Sequence, residues 1–249
     1  MNTANTAERT ALIFGATGGI GRALVDRLHA EGVRLFLVAR SPGPLAELAD
    51  RVQAGWCSAD VTSSAAVDEA VEKAGAFLGQ VDGLAHAVGS ILLKPAHLTT
   101  DEEWATSISL NLTSAFHVVR AGARVMMRSG GSMVLLSSAA GRFGLANHEA
   151  IAAAKAGVQG LALSAAATYA PRGIRVNVVA PGLVDTPLAA RITSNESSRK
   201  ASAALHALGR IGQPGEVASA VAWFLHPDQS WVTGQVLGVD GGLASLRAK

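Results

Sequence analysis

The segment Gly15-Ala16-Thr17-Gly18-Gly19-Ile20-Gly21 follows an apolar run and leads straight into a helical pattern. Glycines at such a junction let the chain turn sharply and bring bare amides against a pyrophosphate. The dipole of the helix that follows favours the phosphate charge. The spacing is G-x-x-x-G-x-G, not the commoner G-x-G-x-x-G, and a tight turn without a ligand is the plain alternative. Its place between a first strand and a first helix predicts a dinucleotide cradle, with Gly15, Gly19, Ile20 and Gly21 at the phosphates. The second strand ends Val38-Ala39-Arg40-Ser41. An acid there would bond the adenosine ribose and select NAD(H). Arg40 and Ser41 instead offer donors to a 2′-phosphate, which predicts NADP(H); a solvated surface arginine is the competing reading.

These residues need a sheet to hold them. Apolar or β-branched runs at 10–14, 33–39, 54–58, 81–88, 132–137, 174–180 and 235–239 read as strands. Helical patterns lie between them at 20–30, 65–78, 102–127, 149–169 and 216–225. Gly32 sits at the stop of the first helix, and Asn147 is placed to cap the start of the helix at 149–169. Most strand runs are near-continuously apolar, as strands covered on both faces are. The alternation predicts a doubly wound α/β protein with a seven-stranded parallel sheet of the Rossmann type. No linker interrupts the series, so residues 1–249 form one domain, with a substrate lid at 183–212.

Composition narrows the function classes. Apolar residues make up 49% of the chain and charged ones 16%, enough for a large core and too few charges for disorder. The net charge is +2 with basic residues scattered, which argues against a nucleic-acid partner. Cys57 stands alone and the histidines lack ligand spacing, so neither a disulfide nor a metal site is expected. The polar start resembles no signal peptide, and no apolar run approaches the ~20 residues of a membrane span. A cytoplasmic protein acting on a small molecule is expected.

The whole chain resembles the ordinary branch of the short-chain dehydrogenase/reductase family. Gly15, Gly19 and Gly21 fit that family's glycine spacing. The resemblance implies that Asp60 and Val61 meet the adenine and that Gly89 lies in the cofactor pocket. Asn111, Ser138 and Lys155 match the family's active-site asparagine, serine and lysine. Lys155 is also implied at the nicotinamide ribose. Pro181, Gly182, Val184 and Thr186, within Pro181-Gly182-Leu183-Val184-Asp185-Thr186-Pro187, match the stretch that wraps the nicotinamide. The C-terminal run from Gly234-Gln235 to Asp240-Gly241-Gly242 matches as well. The family implies hydride transfer at nicotinamide C4 and a homotetramer.

One position departs from this pattern. The family's acid/base is a tyrosine four residues before the lysine, on the same helical face, where the ammonium lowers the phenol pKa. Here that residue is Ile151, and Ser138 keeps the family's spacing to it. Tyr169 is the only tyrosine, fourteen residues beyond Lys155 and so ~20 Å along a helix. His148 shares a face with Ile151 and Lys155 and carries an imidazole, a group able to serve as acid or base, which makes it the substitute acid to test; a first-turn surface residue is its plain alternative. Phe14 stands where the family has threonine, and His86-Ala87-Val88-Gly89 replaces its N-N-A-G. Three functions follow: an NADP(H)-dependent oxidoreductase of carbonyls or alcohols with a non-standard acid; a non-catalytic dinucleotide-binding or scaffold protein; and non-redox chemistry through His148. Arg191, Arg199 and Lys200 in the lid either meet an anionic substrate group or are solvated.

Overall fold

A computed structural model describes residues 9–246. Strands β1 (Thr10–Phe14), β2 (Arg34–Ala39), β3 (Gly55–Ser58), β4 (Gly83–His86), β5 (Gly131–Leu136), β6 (Ile174–Pro181) and β7 (Val236–Val239) form one sheet. Its order is β3-β2-β1-β4-β5-β6-β7, parallel throughout. Helices α1 (Gly19–Ala30), α2 (Pro42–Val52), α3 (Ser64–Leu78), α4 (Asp101–Ile108), α5 (Ser114–Met126) and α6 (Glu149–Tyr169) make the crossovers. They are followed by α7 (Ala190–Thr193), α8 (Glu196–Leu205) and α9 (Pro214–Leu225). The order reverses between β1 and β4, which opens a crevice outside the carboxyl ends of those strands.

The doubly wound seven-stranded expectation holds, and β1 shows why. Leu12 and Phe14 point into the layer of α3, α5 and α6, while Ala11 and Ile13 point into the layer of α1, α2 and α9. Successive side chains enter opposite layers, so an apolar residue is wanted at every position. Full burial of side chains such as Ile13 is worth about 1.5–3 kcal/mol each. Gly32 (φ +72°) ends α1 as the sequence suggests. Its amide bonds His29 O and the Val33 amide bonds Leu28 O, which satisfies two carbonyls of the last turn.

Three expectations need correction, and α2 is a helix the sequence reading did not include. The 102–127 pattern is two helices, α4 and α5, joined by a wide π-turn over Ser109–Thr113. Helix α2 begins Pro42-Gly43-Pro44, a run that reads as a turn, yet proline is tolerated where first-turn amides have no helical partner. Asn147 does not cap α6; it lies in the left-handed region (φ +62°), and His148 is the capping residue, without a side-chain cap. Finally, α6 is by length and composition apolar enough to cross a membrane. It packs instead along β6, with Ala154, Val158, Ala162 and Ala165 buried.

Candidate active site

Every strand end at the β1/β4 switch point brings a piece of the site. The Gly15–Gly21 turn leaves β1 so tightly that a methyl on Gly21 would overlap the Gly15 carbonyl oxygen. A methyl on Gly15 would come 2.6 Å from Ala87 O, and one on Gly19 would come 2.7 Å from Thr186 Cγ2. Gly21→Ala is therefore expected to cost about 1–3 kcal/mol in stability by overpacking against backbone, seen as a lower urea midpoint.

Two cavities meet at this turn. One, about 250 Å³, runs past Gly15, Gly18 and Gly19 to Arg40, Ser41 and Val61. The other, about 150 Å³, holds Ser138, Ile151, Lys155, Pro181, Gly182 and Val184. Ile20, Ala87, Val88, Gly89, Thr186 and Leu188 line both, so they form one groove. A larger cleft of about 770 Å³ opens at the opposite, amino-terminal edge of the sheet, beside Thr10, Gly83 and Trp231. The residues singled out for chemistry do not line it, and parallel sheets place ligands at the carboxyl ends.

At one end of this groove, the exposed Arg40 and Ser41 precede the first turn of α2. The Asp60 carboxylate accepts from the Thr62 amide at 2.9 Å and the Thr62 hydroxyl at 2.8 Å. Those two bonds, with the charge of Arg40, hold it below the usual carboxylate range. Val61 is buried beneath it, and its carbonyl meets His117 Nδ1 at 3.1 Å.

The other end of the groove is built around Lys155. Its side chain is 6% exposed, and its ammonium donates to Leu136 O at 3.0 Å. Burial with no carboxylate against it pulls the pKa down to about 8. Ser137 binds α6 to the end of β5, donating to Lys155 O at 2.8 Å and accepting from Gln159 Nε2 at 2.9 Å. Ser138 stands next to it in extended backbone, and its Oγ accepts from the Ala140 amide at 3.1 Å. Gly89 is what lets the loop after β4 close here: a methyl on it would come 2.8 Å from Asn111 Oδ1 and 3.1 Å from Lys155 Nζ.

Asn111 sits in the π-turn, where its side chain is 1% exposed. Its Oδ1 accepts from the Ser90 amide at 3.0 Å, and its Nδ2 donates to Ser90 Oγ (2.8 Å) and Ser107 O (2.9 Å). Ser90 thus braces the site, although no motif in the sequence marks it. Phe14 and His86, the two residues that depart from the family pattern on the neighbouring strands, pack edge to face at 6.3 Å. Ser114 Oγ donates to Leu110 O, so His86 Nε2 carries the proton given to Ser114 Oγ at 3.0 Å. Burial, aided by the charge of Lys155, lowers the His86 pKa to about 3 and keeps the ring neutral.

Ile151 is 4% exposed and lines the cavity with Lys155. His148 does not line it; its Nδ1 faces back to Ala146 O at 2.7 Å. Tyr169 packs against the core at the far end of α6. In the lid, Arg199 pairs with Asp185 at 3.0 Å and Lys200 with Glu196 at 2.7 Å. Among the described residues no cluster of His, Cys, Asp and Glu is arranged to hold a metal ion.

The family described as enoyl-(acyl carrier protein) reductase matches residues 15–244. A short-chain type dehydrogenase/reductase from Mycobacterium ulcerans superposes with a TM-score of 0.90 at 31% identity, over 96% of this chain and 91% of that one. The chain belongs to the short-chain dehydrogenase/reductase family. Among its relatives in that family is the cis-4-hydroxycyclohexanecarboxylate dehydrogenase of Sinomonas cyclohexanicum, 38% identical over 96% of this chain and 98% of that protein. Another is the 3-oxoacyl-(acyl-carrier-protein) reductase of Escherichia coli K12, 34% identical over 96% and 98%. An actinorhodin polyketide ketoreductase solved with NADPH shares the short-chain dehydrogenase/reductase fold at a TM-score of 0.91 and 31% identity, over 96% and 98%.

Proposed function

We propose that this short-chain dehydrogenase/reductase is an NADP(H)-dependent oxidoreductase of a small carbonyl or alcohol, working without a phenol at its centre. The carrying observation is the continuous groove, with an arginine and a helix start at one end and a buried ammonium lacking a carboxylate partner at the other. Its residues fit the dinucleotide. The Gly15–Gly21 amides and Ile20 meet the pyrophosphate, Arg40 and Ser41 the 2′-phosphate, and Asp60 and Val61 the adenine. Gly89 and Lys155 hold the nicotinamide ribose, while Pro181, Gly182, Val184 and Thr186 hold the ring. The ketoreductase relative's NADPH supports this choice of cofactor.

When bound, the dinucleotide supplies the hydride. The protein's own residues position the substrate and move the proton. Ser138 offers a hydroxyl to the substrate oxygen, and Asn111 keeps the Ser90 loop against α6. Among the described residues Lys155 is the one ionisable side chain lining that end of the groove, and a pKa of about 8 suits a proton donor. His148 stays a secondary donor whose ring would have to turn from Ala146. Leu163, Trp223 and Leu237, exposed around the β7 edge, support a homo-oligomer, a tetramer by family precedent. The single unbridged cysteine suits a reducing, cytoplasmic setting.

Single-turnover mixing with NADPH against ketones, 3-oxoacyl thioesters and imines tests the reading. A bound cofactor that reduces none of them favours the second reading, a non-catalytic dinucleotide-binding protein, whose support is the hydrocarbon of Ile151 in the cavity wall. Arg40→Ala is expected to weaken NADPH about 10- to 100-fold, the cost of one charge-assisted bond, while leaving NADH nearly unchanged. Calorimetry with both cofactors checks it, and equal losses for the two would remove Arg40 from the 2′-phosphate.

A further inference from the structure

A buried imidazole helps to fasten the lid at its far end. Helix α8 buries none of its residues, and Leu205 and Leu208 on either side of the anchor are 55% and 69% exposed. His206 is 3% exposed. Its Nδ1 donates to Ser202 O at 2.7 Å, back into α8. Its Nε2 accepts from the Leu183 amide at 3.1 Å, across twenty-three residues of chain. A neutral imidazole has one donor and one acceptor, and both are spent on joining the helix to the loop.

The surroundings are shaped for that ring. A methyl on Gly182 would come 2.6 Å from Nε2, and Gly241 (φ +57°) turns the chain alongside. The Leu208 amide donates to Gly241 O at 3.0 Å and closes the return of the lid on the turn after β7. Leu183 is the start of the stretch through Thr186 that walls the groove opposite Lys155. Farther along, Gly212 N bonds Leu183 O at 2.8 Å and Asp185 N bonds Gly212 O at 2.9 Å, and on the exposed side Arg199 of α8 pairs with Asp185 at 3.0 Å.

We propose that His206 is a positioning residue, tying the seating of α8 to the backbone of 183–186 and so to the nicotinamide end of the groove. The cofactor half of this rests on the NADP(H) reading above; the pin itself does not. The Leu183 amide needs an acceptor at the position of Nε2, and the side chain that provides it belongs to the lid. Movement of the lid and strain in the nicotinamide wall are thereby one event.

Two substitutions separate the acceptor from the bulk. His206→Gln can place an oxygen where Nε2 stood, whereas His206→Asn keeps only a donor near Nδ1. Hydrogen exchange at the Leu183 amide is measured in cofactor-free protein, and NADPH affinity by calorimetry. The Asn variant is expected to exchange about tenfold faster at Leu183 and to bind NADPH about tenfold more weakly. The Gln variant should stay near the parent in both. Unchanged Leu183 protection in the Asn variant, or equal losses in Asn and Gln, would overturn the pin. Faster Leu183 exchange in the Asn variant of a protein that binds no NADPH would support the pin and overturn the cofactor reading.

Discussion

Replacing Ile151 with tyrosine raises the rate of carbonyl reduction by about 10²- to 10⁴-fold, the usual worth of a positioned general acid. Ile151 faces the cavity of about 150 Å³ that also holds Ser138 and Lys155, so a phenol has somewhere to point. Lys155 lies one helical turn further on the same face of α6. Its charge would favour the phenolate and bring the new group toward a useful pKa. Single-turnover kinetics with NADPH and one 3-oxoacyl thioester provide the measurement. A folded, NADPH-binding variant that gains nothing would mean that the parent already owns a competent acid, and His148→Ala would then be the next comparison.

Lys155→Met should make the protein more stable at pH 7 while weakening its hold on NADPH. Moving the ammonium pKa from about 10.4 to about 8 corresponds to roughly 3 kcal/mol of penalty in the folded state. Methionine removes that penalty with little change in volume, but leaves Leu136 O without its partner at a cost of about 1 kcal/mol. The net gain is about 2 kcal/mol. The pH dependence carries the sign. Below pH ~8 both folded and unfolded chains hold the proton, and the penalty is constant. Between about 8 and 10.4 the folded chain gives it up first, so stability rises with pH, and above that range the gain is complete. Urea midpoints of the two proteins should converge and then cross as pH rises through this window. Parallel curves would show that the ammonium is not held in an apolar setting.

The buried β-strands and the glycine turn were legible because each rests on local chemistry: apolar residues at successive positions, and glycines where a methyl would strike the backbone. The span of α6 was legible for the same reason, as an unbroken helical pattern from Glu149 to Tyr169. Helix α2 was hidden by Pro42-Gly43-Pro44, which has the composition of a turn yet occupies a first turn that asks for no amide partners. The π-turn was hidden because the apolar rhythm of 102–127 carries on through it. Ser90 and His206 could not be found at all from spacing. Their partners, Asn111 and Leu183, are more than twenty residues away, and only the folded chain brings them together.

The π-turn also makes chain length a working dimension of this protein. Deleting one residue inside 109–113 would let an ordinary α-helix run from Asp101 to Met126 and would remove the wide turn that seats Asn111. Asn111 would then lose its fit to Ser90 and to Ser107 O. Between Ser107 and Ser114, the number of residues is therefore harder to change than most of the letters.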